Sequence, residues 1–171
     1  MQQFRNMQQF NKNTEHTAEL LFVCKALATA GSHKSENLQH LYSTGVDIVA
    51  TDGHRLHVYT PETCPLEAGY YEIIKKTKTE LVLNRSDQDL GDYPDYTRVM
   101  PEAKDLQGFK LNSSISGKYA TVIRAMDCNT LEYSLFLDAA PLMERYQVTN
   151  GLSAILMTGK DVKAVVMPVR I

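Results

Sequence analysis

Three polar residues in the first half of the chain have types and spacing that could support acid–base or metal chemistry. Asp52, His54 and His57 fall within the segment TDGHRLH. A hairpin turn at Asp52-Gly53 would bring such side chains together, and imidazole and carboxylate groups serve as general bases and zinc ligands. No second carboxylate or histidine follows at metal-ligand spacing, however, and no HExxH or paired Cys/His motif occurs. An enzyme built around Asp52 and His54 is therefore only the third hypothesis, and we expect no metal and no cofactor.

The composition excludes several classes of protein. The 171 residues include 18 Lys and Arg against 20 Asp and Glu, a formal net charge of −2. This balance excludes a strongly basic nucleic-acid-binding protein but allows a local basic face. The 3 cysteines show no CxxC spacing, which favours reduced thiols. We find no GxxxxGK[ST] loop, no apolar run of membrane-spanning length and no signal-peptide pattern, so we expect a cytoplasmic protein without membrane contact.

The elements that must position these residues are predicted from periodicity and turn signals. Residues 1–13 read as an N-terminal arm or edge strand. Thr14–Ala30 has apolar residues at helical spacing, with Thr14 as the cap and Gly31 as the terminator. Asp52-Gly53 between two β-rich runs predicts a hairpin in which both turn residues have positive φ. The strands predicted in this half are Asn37–Ser43, Val46–Thr51, His54–Thr60, Tyr70–Ile74 and Glu80–Leu83.

The second half is predicted to follow a connector and to contain strands, a second helix and further strands. Turn-forming residues and two prolines make Ser86–Pro101 a connecting loop. A short helix is predicted from Asp138 through Tyr146, with Pro141 in its first turn. The predicted strands are Gly108–Asn112, Tyr119–Ala125, Thr130–Leu137, Leu152–Met157 and Val162–Val169. Two βαβββ-like units would give this order, and we predict an α+β fold with two helices on one face of antiparallel sheets.

Three short segments, in the same order, resemble the bacterial DNA polymerase III beta subunit, the sliding clamp. They are ATDGHRL at Ala50–Leu56, YPDYTRVMP at Tyr93–Pro101 and VVMPVRI at Val165–Ile171, and the run FLDAAPLMERY is similar to the entry to the clamp's final helix. The resemblance covers about half of the chain and implies a DNA-clamp fold. Clamps of this family are about twice as long and have three domains, so the chain resembles a shortened clamp.

In the clamp family these segments form the walls of a pocket that receives peptides from polymerases and clamp loaders. The resemblance therefore implies a peptide-binding groove with an apolar floor, proline rims and basic donors for a peptide's Gln, carbonyl or acidic groups. The residues carried over to this sequence are Thr51, Gly53, His54, Arg55, Leu56, Pro94, Arg98, Val99, Ser153, Val165, Met167, Pro168 and Arg170. Each segment alone is more typical of an ordinary hairpin or core strand, and it is the occurrence of all three in the family's order that favours the groove.

The family's channel helices carry basic residues that slide on DNA phosphates without reading sequence. By resemblance, the DNA-contacting candidates are Lys25, Lys34 and Arg145. The first hypothesis is a non-enzymatic, DNA-sliding-clamp-like replication processivity factor that forms a homo-oligomer. Its partners would be linear-motif peptides of DNA polymerases, clamp loader or repair proteins, together with double-stranded DNA. The alternative is a clamp-derived peptide-binding regulator that does not encircle DNA.

The domain prediction follows from the same resemblance. Residues 14–171 would form a single compact clamp-like domain. Its front half would span about 14–92 and resemble the second clamp domain. A connector at 93–101 would lead into a back half at 102–171 that resembles the third clamp domain.

Overall fold

A single antiparallel sheet dominates the computed structural model, which describes residues 6–30, 35–101, 107–110, 138–148 and 154–167. Within these ranges ten strands pair in the order β1-β6-β5-β2-β3-β4-β10-β9-β8-β7, and every neighbouring pair is antiparallel. The strands are β1 Met7–Asn11, β2 Leu41–Ser43, β3 Ile48–Thr51, β4 Arg55–Tyr59, β5 Gly69–Lys76, β6 Glu80–Arg85, β7 Gln107–Lys110, β8 Arg145–Val148, β9 Ile155–Thr158 and β10 Val162–Val166.

The two halves of the chain meet where β4 pairs with β10. Leu56 lies opposite Val165 in this ladder. Because successive side chains of a strand point to opposite faces, Leu56 and Val58 lie on one face of the sheet, whereas His57 and Tyr59 lie on the other. This alternation divides the sheet into a first face with a large core and a second face with a small one.

The first face is covered by the helix α1, Thr17–Val23, which contacts β3, β4 and β6. Its core brings Phe10, Leu20 and Phe22 together with Tyr146 and Ile155, so it contains residues from both halves of the chain. Short 3₁₀ helices occur at Cys24–Ala26, Glu36–Gln39, Tyr96–Val99 and Ala140–Leu142. Within the described residues, no helix has the length and apolar character that crossing a bilayer requires.

The second face carries a small apolar cluster, formed by Val49, Leu56, Val58, Leu156 and Val165. The connector, residues 93–101, packs over this cluster through the partly buried side chains of Tyr93, Tyr96 and Met100. Full burial of one aliphatic or aromatic side chain stabilises a fold by about 1.5–3 kcal/mol, and partial burial contributes a part of this. The connector is therefore part of the packed structure, and it forms a second layer on this face.

The predicted first helix is longer than the observed one. Thr14 does not cap α1: its hydroxyl accepts from the backbone N–H of Asn11, and the hydroxyl of Thr17 donates to the carbonyls of Asn11 and Thr14. These bonds hold a turn before the helix begins. At its other end, Leu27 is extended (φ −66°, ψ 142°), and the N–H of Ala28 donates to the carbonyl of Leu38. Gly31 lies outside the described residues.

Three other predictions needed correction. Gly53 has the predicted positive φ of 85°, but Asp52 does not, because four residues rather than two separate the paired Thr51 and Leu56. Asn37 lies in a 3₁₀ turn and not in a strand. The second helix does not reach Tyr146, which pairs with Met157 in the β8–β9 ladder.

The predicted α+β fold and most strand positions are confirmed. The Asp52-Gly53 hairpin connects β3 with β4, and β5 and β6 extend beyond their predicted bounds. The arm contains β1, an edge strand of the sheet. The predicted strands Tyr119–Ala125 and Thr130–Leu137 lie outside the described residues.

Candidate functional site

An apolar pocket of about 230 Å³ opens on the second face, between the sheet and the connector. Leu56 and Val165, which are buried neighbours in the β4–β10 ladder, form its floor. Val99 and Met167 stand at its opening with 46% and 40% of their surface exposed. The complete lining is Leu38, Thr51, Gly53, Arg55, Leu56, Pro94, Asp95, Tyr96, Val99, Val165 and Met167.

The β3–β4 turn forms one side of the pocket and is held by its own side chains. The Thr51 hydroxyl donates to the carbonyl of Arg55 (2.6 Å) and accepts from the N–H of Gly53 (3.1 Å). One carboxylate oxygen of Asp52 accepts from the N–H groups of His54 and Arg55. Because Ser, Thr and Asp side chains can replace backbone partners in turns, this sequence fixes the hairpin locally.

Arg55 lies at the back of the pocket, and two of its donor groups are already bonded. Its Nε donates to Asp52 Oδ2 (3.1 Å) and its Nη1 donates to Asp138 Oδ2 (2.6 Å). Only 11% of the side chain is exposed. These bonds use two of the five N–H donors of the guanidinium, and its role as a donor to a bound peptide stays a prediction. Its bonds connect the β3–β4 turn to the back half of the chain.

The connector forms the opposite wall of the pocket. Asp95 caps the 3₁₀ turn Tyr96–Val99 by accepting from the N–H and hydroxyl of Thr97 (3.2 and 2.6 Å). The ring of Tyr93 stacks on Tyr42 at 4.6 Å. Tyr96 donates its hydroxyl to Asp47 Oδ2 at 2.7 Å. Burial, followed by the Asp47 carboxylate, raises the pKa of Tyr96, so its hydroxyl remains a donor at neutral pH.

The structure brings together eight of the thirteen residues carried over from the clamp resemblance. Thr51, Gly53, Arg55, Leu56, Pro94, Val99, Val165 and Met167 line the pocket. His54 and Arg98 do not line it; they are exposed and lie beside lining residues in the chain. Ser153, Pro168 and Arg170 lie outside the described residues.

Sequence reasoning missed three lining residues: Leu38, Asp95 and Tyr96. Asp95 and Tyr96 stand inside the quoted segment YPDYTRVMP, so a signal for them was present. Leu38 belongs to the 3₁₀ turn that was predicted as a strand, and no local pattern pointed to it.

The described structure includes two of the three DNA-contacting candidates, and a common basic face stays a prediction. Lys25 Nζ donates to the backbone carbonyl of Asp138 (3.0 Å). Arg145 is exposed, but it begins strand β8 and is not on a helix. Lys34 lies outside the described residues.

The acid–base cluster proposed from Asp52, His54 and His57 is not assembled. His57 is fully buried on the first face, where its ring stacks on Phe22 at 4.2 Å and its Nδ1 donates to the Phe22 carbonyl (2.8 Å). Burial lowers the pKa of His57 to about 4. The carboxylate of Asp52 is occupied by the turn and by Arg55. Among the described residues, no group of three or more His, Cys, Asp or Glu could hold a metal ion.

Solved structures provide the comparison that identifies the fold. The Borrelia burgdorferi DNA polymerase III beta subunit, solved in complex with a natural product, aligns with a TM-score of 0.62 at 10% identity, over 100% of this chain and 66% of that one. The Bacillus subtilis sliding clamp aligns with a TM-score of 0.60 at 14% identity, over 100% and 66%. The chain has the fold of a bacterial DNA sliding clamp. The Pseudomonas aeruginosa clamp aligns with a TM-score of 0.57 at 15% identity, over 98% and 67%.

At these identities the likeness to sliding clamps shows the fold alone. No protein-family model matches the sequence, and a search of curated proteins finds no match. The chain spans about two thirds of the length of the clamps that it matches. One of the similar structures is a Pseudomonas aeruginosa clamp bound to griselimycin, at a TM-score of 0.52, 15% identity and 96% and 65% coverage.

Proposed function

We propose that this protein is a sliding-clamp-like replication processivity factor. It would bind short linear peptides of DNA polymerases, clamp loader or repair proteins in the pocket, and associate with DNA without sequence specificity. The observation that carries the proposal is the convergence of three distant segments on one apolar pocket. Leu56, Val99 and Met167 come from separate parts of the chain and line the same cavity.

The pocket is suited to a peptide side chain. It has an apolar floor at Leu56 and Val165, and it keeps Val99 and Met167 exposed at its opening, where a ligand would cover them. Methionine adapts to ligands because its side chain is flexible and polarizable. A pocket of this size would bind a linear motif with an affinity on the order of 1 μM, about −8 kcal/mol.

Binding, and not catalysis, fits the polar groups near the pocket. Asp52 and Arg55 are already paired with one another, and Arg55 is also paired with Asp138. His57 is buried on the opposite face of the sheet. We therefore propose a non-enzymatic role. We also propose that residues 14–171 form one domain, because the β4–β10 pair makes the two halves share a sheet.

A second candidate is a peptide-binding regulator that does not encircle DNA. Two observations favour it. The ammonium group of the exposed Lys25 donates to the carbonyl of Asp138, and the net charge of the chain is −2. Phosphate binding relies on basic side chains that are available to the nucleic acid. This candidate has the same pocket as the first and lacks DNA retention.

The pocket is tested by fluorescence anisotropy with a labelled hexapeptide, Ala-Gln-Leu-Ala-Leu-Phe. We expect Met167→Ala and Val99→Ala to weaken binding about tenfold each, a loss of about 1.4 kcal/mol. Met7→Ala and Val46→Ala remove exposed side chains of the same types elsewhere and should leave the affinity unchanged. Arg98→Ala tests whether the exposed cation beside the pocket contributes to binding. Equal affinities of the wild type, Met167→Ala and Val99→Ala would reject the pocket as the peptide site.

DNA association is tested separately from peptide binding. A processivity factor should form a closed oligomer by light scattering and be retained on nicked circular DNA, with retention falling as salt rises. The regulator should bind the hexapeptide but should not be retained on the DNA. Release on linearising the DNA would indicate encirclement.

A further inference from the structure

The connector is attached to the sheet by side chains. In the described part of the chain, the backbone-to-backbone hydrogen bonds of residues 93–101 stay within the segment, from Arg98 N–H to the Asp95 carbonyl and from Met100 N–H to the Thr97 carbonyl. The pocket wall formed by Pro94 and Val99 is therefore not part of the hydrogen-bonded ladder. Its position depends on side-chain contacts between the connector and the sheet.

These contacts are distributed unevenly along the connector. Just before the connector, Tyr70 donates to the Gly91 carbonyl (2.8 Å) and Asn37 donates to the Asp92 carbonyl (3.1 Å). At its first residue, Tyr93 stacks on Tyr42 of β2. Beyond Tyr93, the Tyr96 hydroxyl joins the connector to the turn between β2 and β3 through its bond to Asp47. Tyr96 lies in the same 3₁₀ turn as Val99.

Asp47 is a firm attachment point for this bond. Its Oδ1 accepts from the Thr60 hydroxyl (2.6 Å), which leaves Oδ2 for Tyr96. The backbone of Asp47 is held by a turn, because its N–H donates to the Thr44 hydroxyl (2.8 Å) and its carbonyl accepts from the Thr44 N–H (2.9 Å). Asp47 does not line the pocket, so it can influence a ligand there only through Tyr96 or through the sheet.

We propose that Tyr96 is a positioning residue for the pocket, whose hydrogen bond to Asp47 holds the connector wall in the binding-competent arrangement. The inference rests on the proposed peptide-binding function. The apparent affinity of a ligand that needs a preformed wall falls in proportion to the fraction of molecules in which the wall is in place. Hydrogen bonds to charged groups are stronger than neutral ones, so loss of this bond shifts that fraction substantially.

The test combines hexapeptide affinity with hydrogen exchange of the connector amides. We expect Tyr96→Phe and Asp47→Ala each to weaken binding about five- to tenfold, and the double variant to be no weaker than either. Asp47→Asn keeps an acceptor oxygen and should retain most of the affinity. Tyr71→Phe is the matched control: it removes a hydroxyl that donates to the Glu67 carbonyl (3.0 Å), away from the connector, and should bind within about twofold of the wild type.

Hydrogen exchange gives a readout that does not depend on peptide binding. Tyr96→Phe and Asp47→Ala should both speed exchange at the Arg98 and Met100 amides, whereas Tyr71→Phe should not. Wild-type affinity in Tyr96→Phe, with unchanged exchange, would overturn the inference. So would a loss in Tyr96→Phe that Asp47→Ala does not reproduce, because the hydroxyl would then contact the peptide directly. Faster exchange in a protein that does not bind the hexapeptide would support the positioning role and reject the proposed function.

Discussion

Burial of His57 without a second hydrogen-bond partner should make the fold sensitive to acid. Its Nδ1 proton is donated to the Phe22 carbonyl, while its Nε2 is buried and has no partner in the described structure. Protonation would place a positive charge at Nε2 with no acceptor nearby. Burial accordingly lowers the pKa of His57 from 6.5 to about 4, even though the bond to Phe22 acts in the opposite direction.

The sign and size of the effect follow from proton linkage. Between pH 6.5 and about pH 4, the unfolded chain binds a proton at His57 and the folded chain does not. The free energy of unfolding therefore falls as the pH falls through this window. Below the window, His57 causes no further change. With about 1.4 kcal/mol per pH unit, the loss from about pH 7.5 to about pH 5 is about 2 kcal/mol.

Urea denaturation at both pH values measures this loss, and His57→Asn isolates it. Asparagine does not titrate, and its amide can still donate towards the Phe22 carbonyl. We expect the wild type to lose about 2 kcal/mol more than His57→Asn does between the two pH values. Exposed His54→Asn is the matched control and should behave like the wild type. Equal losses in the wild type and in His57→Asn would refute the reasoning, because other titrating groups are common to both.

Two further predictions concern contacts that hold the packed structure together. Gly159→Ala should cost about 3 kcal/mol or more in urea denaturation, because a Cβ there would lie 1.9 Å from the backbone carbonyl oxygen of Leu142. Arg55→Ala should cost about 3 kcal/mol, because it leaves Asp52 and Asp138 without their partner, and the former is largely buried.

Two control variants separate the loss of these particular contacts from the general cost of replacing a glycine or an arginine. Gly91→Ala has no atom within 4 Å of the added Cβ, and its positive φ of 70° should cost only about 1 kcal/mol. Arg85→Ala breaks an exposed pair with Glu67, which is 79% exposed, and should cost at most about 1 kcal/mol from that pair. If Gly159→Ala and Gly91→Ala lost similar free energies of unfolding, or if Arg55→Ala and Arg85→Ala did, the structural explanation of that pair would be contradicted.

The strands were predictable because their signals are local. The Asp52-Gly53 turn between β-rich runs indicated the β3–β4 hairpin, and its exact geometry depended on Thr51 and Asp52 side-chain bonds that no turn rule specified. The helix was overextended for a related reason. Apolar spacing continues through Leu27, but the chain there turns away to pair with Leu38, a tertiary contact that periodicity does not contain.

The pocket was predictable in part, and only by resemblance. Three segments indicated most of its lining, including Leu56 and Met167. The pairing of Arg55 with Asp138 could not be foreseen, because the two residues are distant in sequence. A motif does not show whether its arginine is already paired. Leu38 was missed for the same reason: its place depends on how the chain folds around it.

The central position of the β4–β10 ladder has a consequence for the order of assembly. Leu56 and Val165 are adjacent in the sheet but come from opposite ends of a long stretch of chain. Closing so large a loop costs entropy before any contact compensates for it, which makes such pairings slow. We therefore expect the floor of the cavity to form late in folding, so that a nascent chain in which β10 has not yet paired would lack the proposed peptide site.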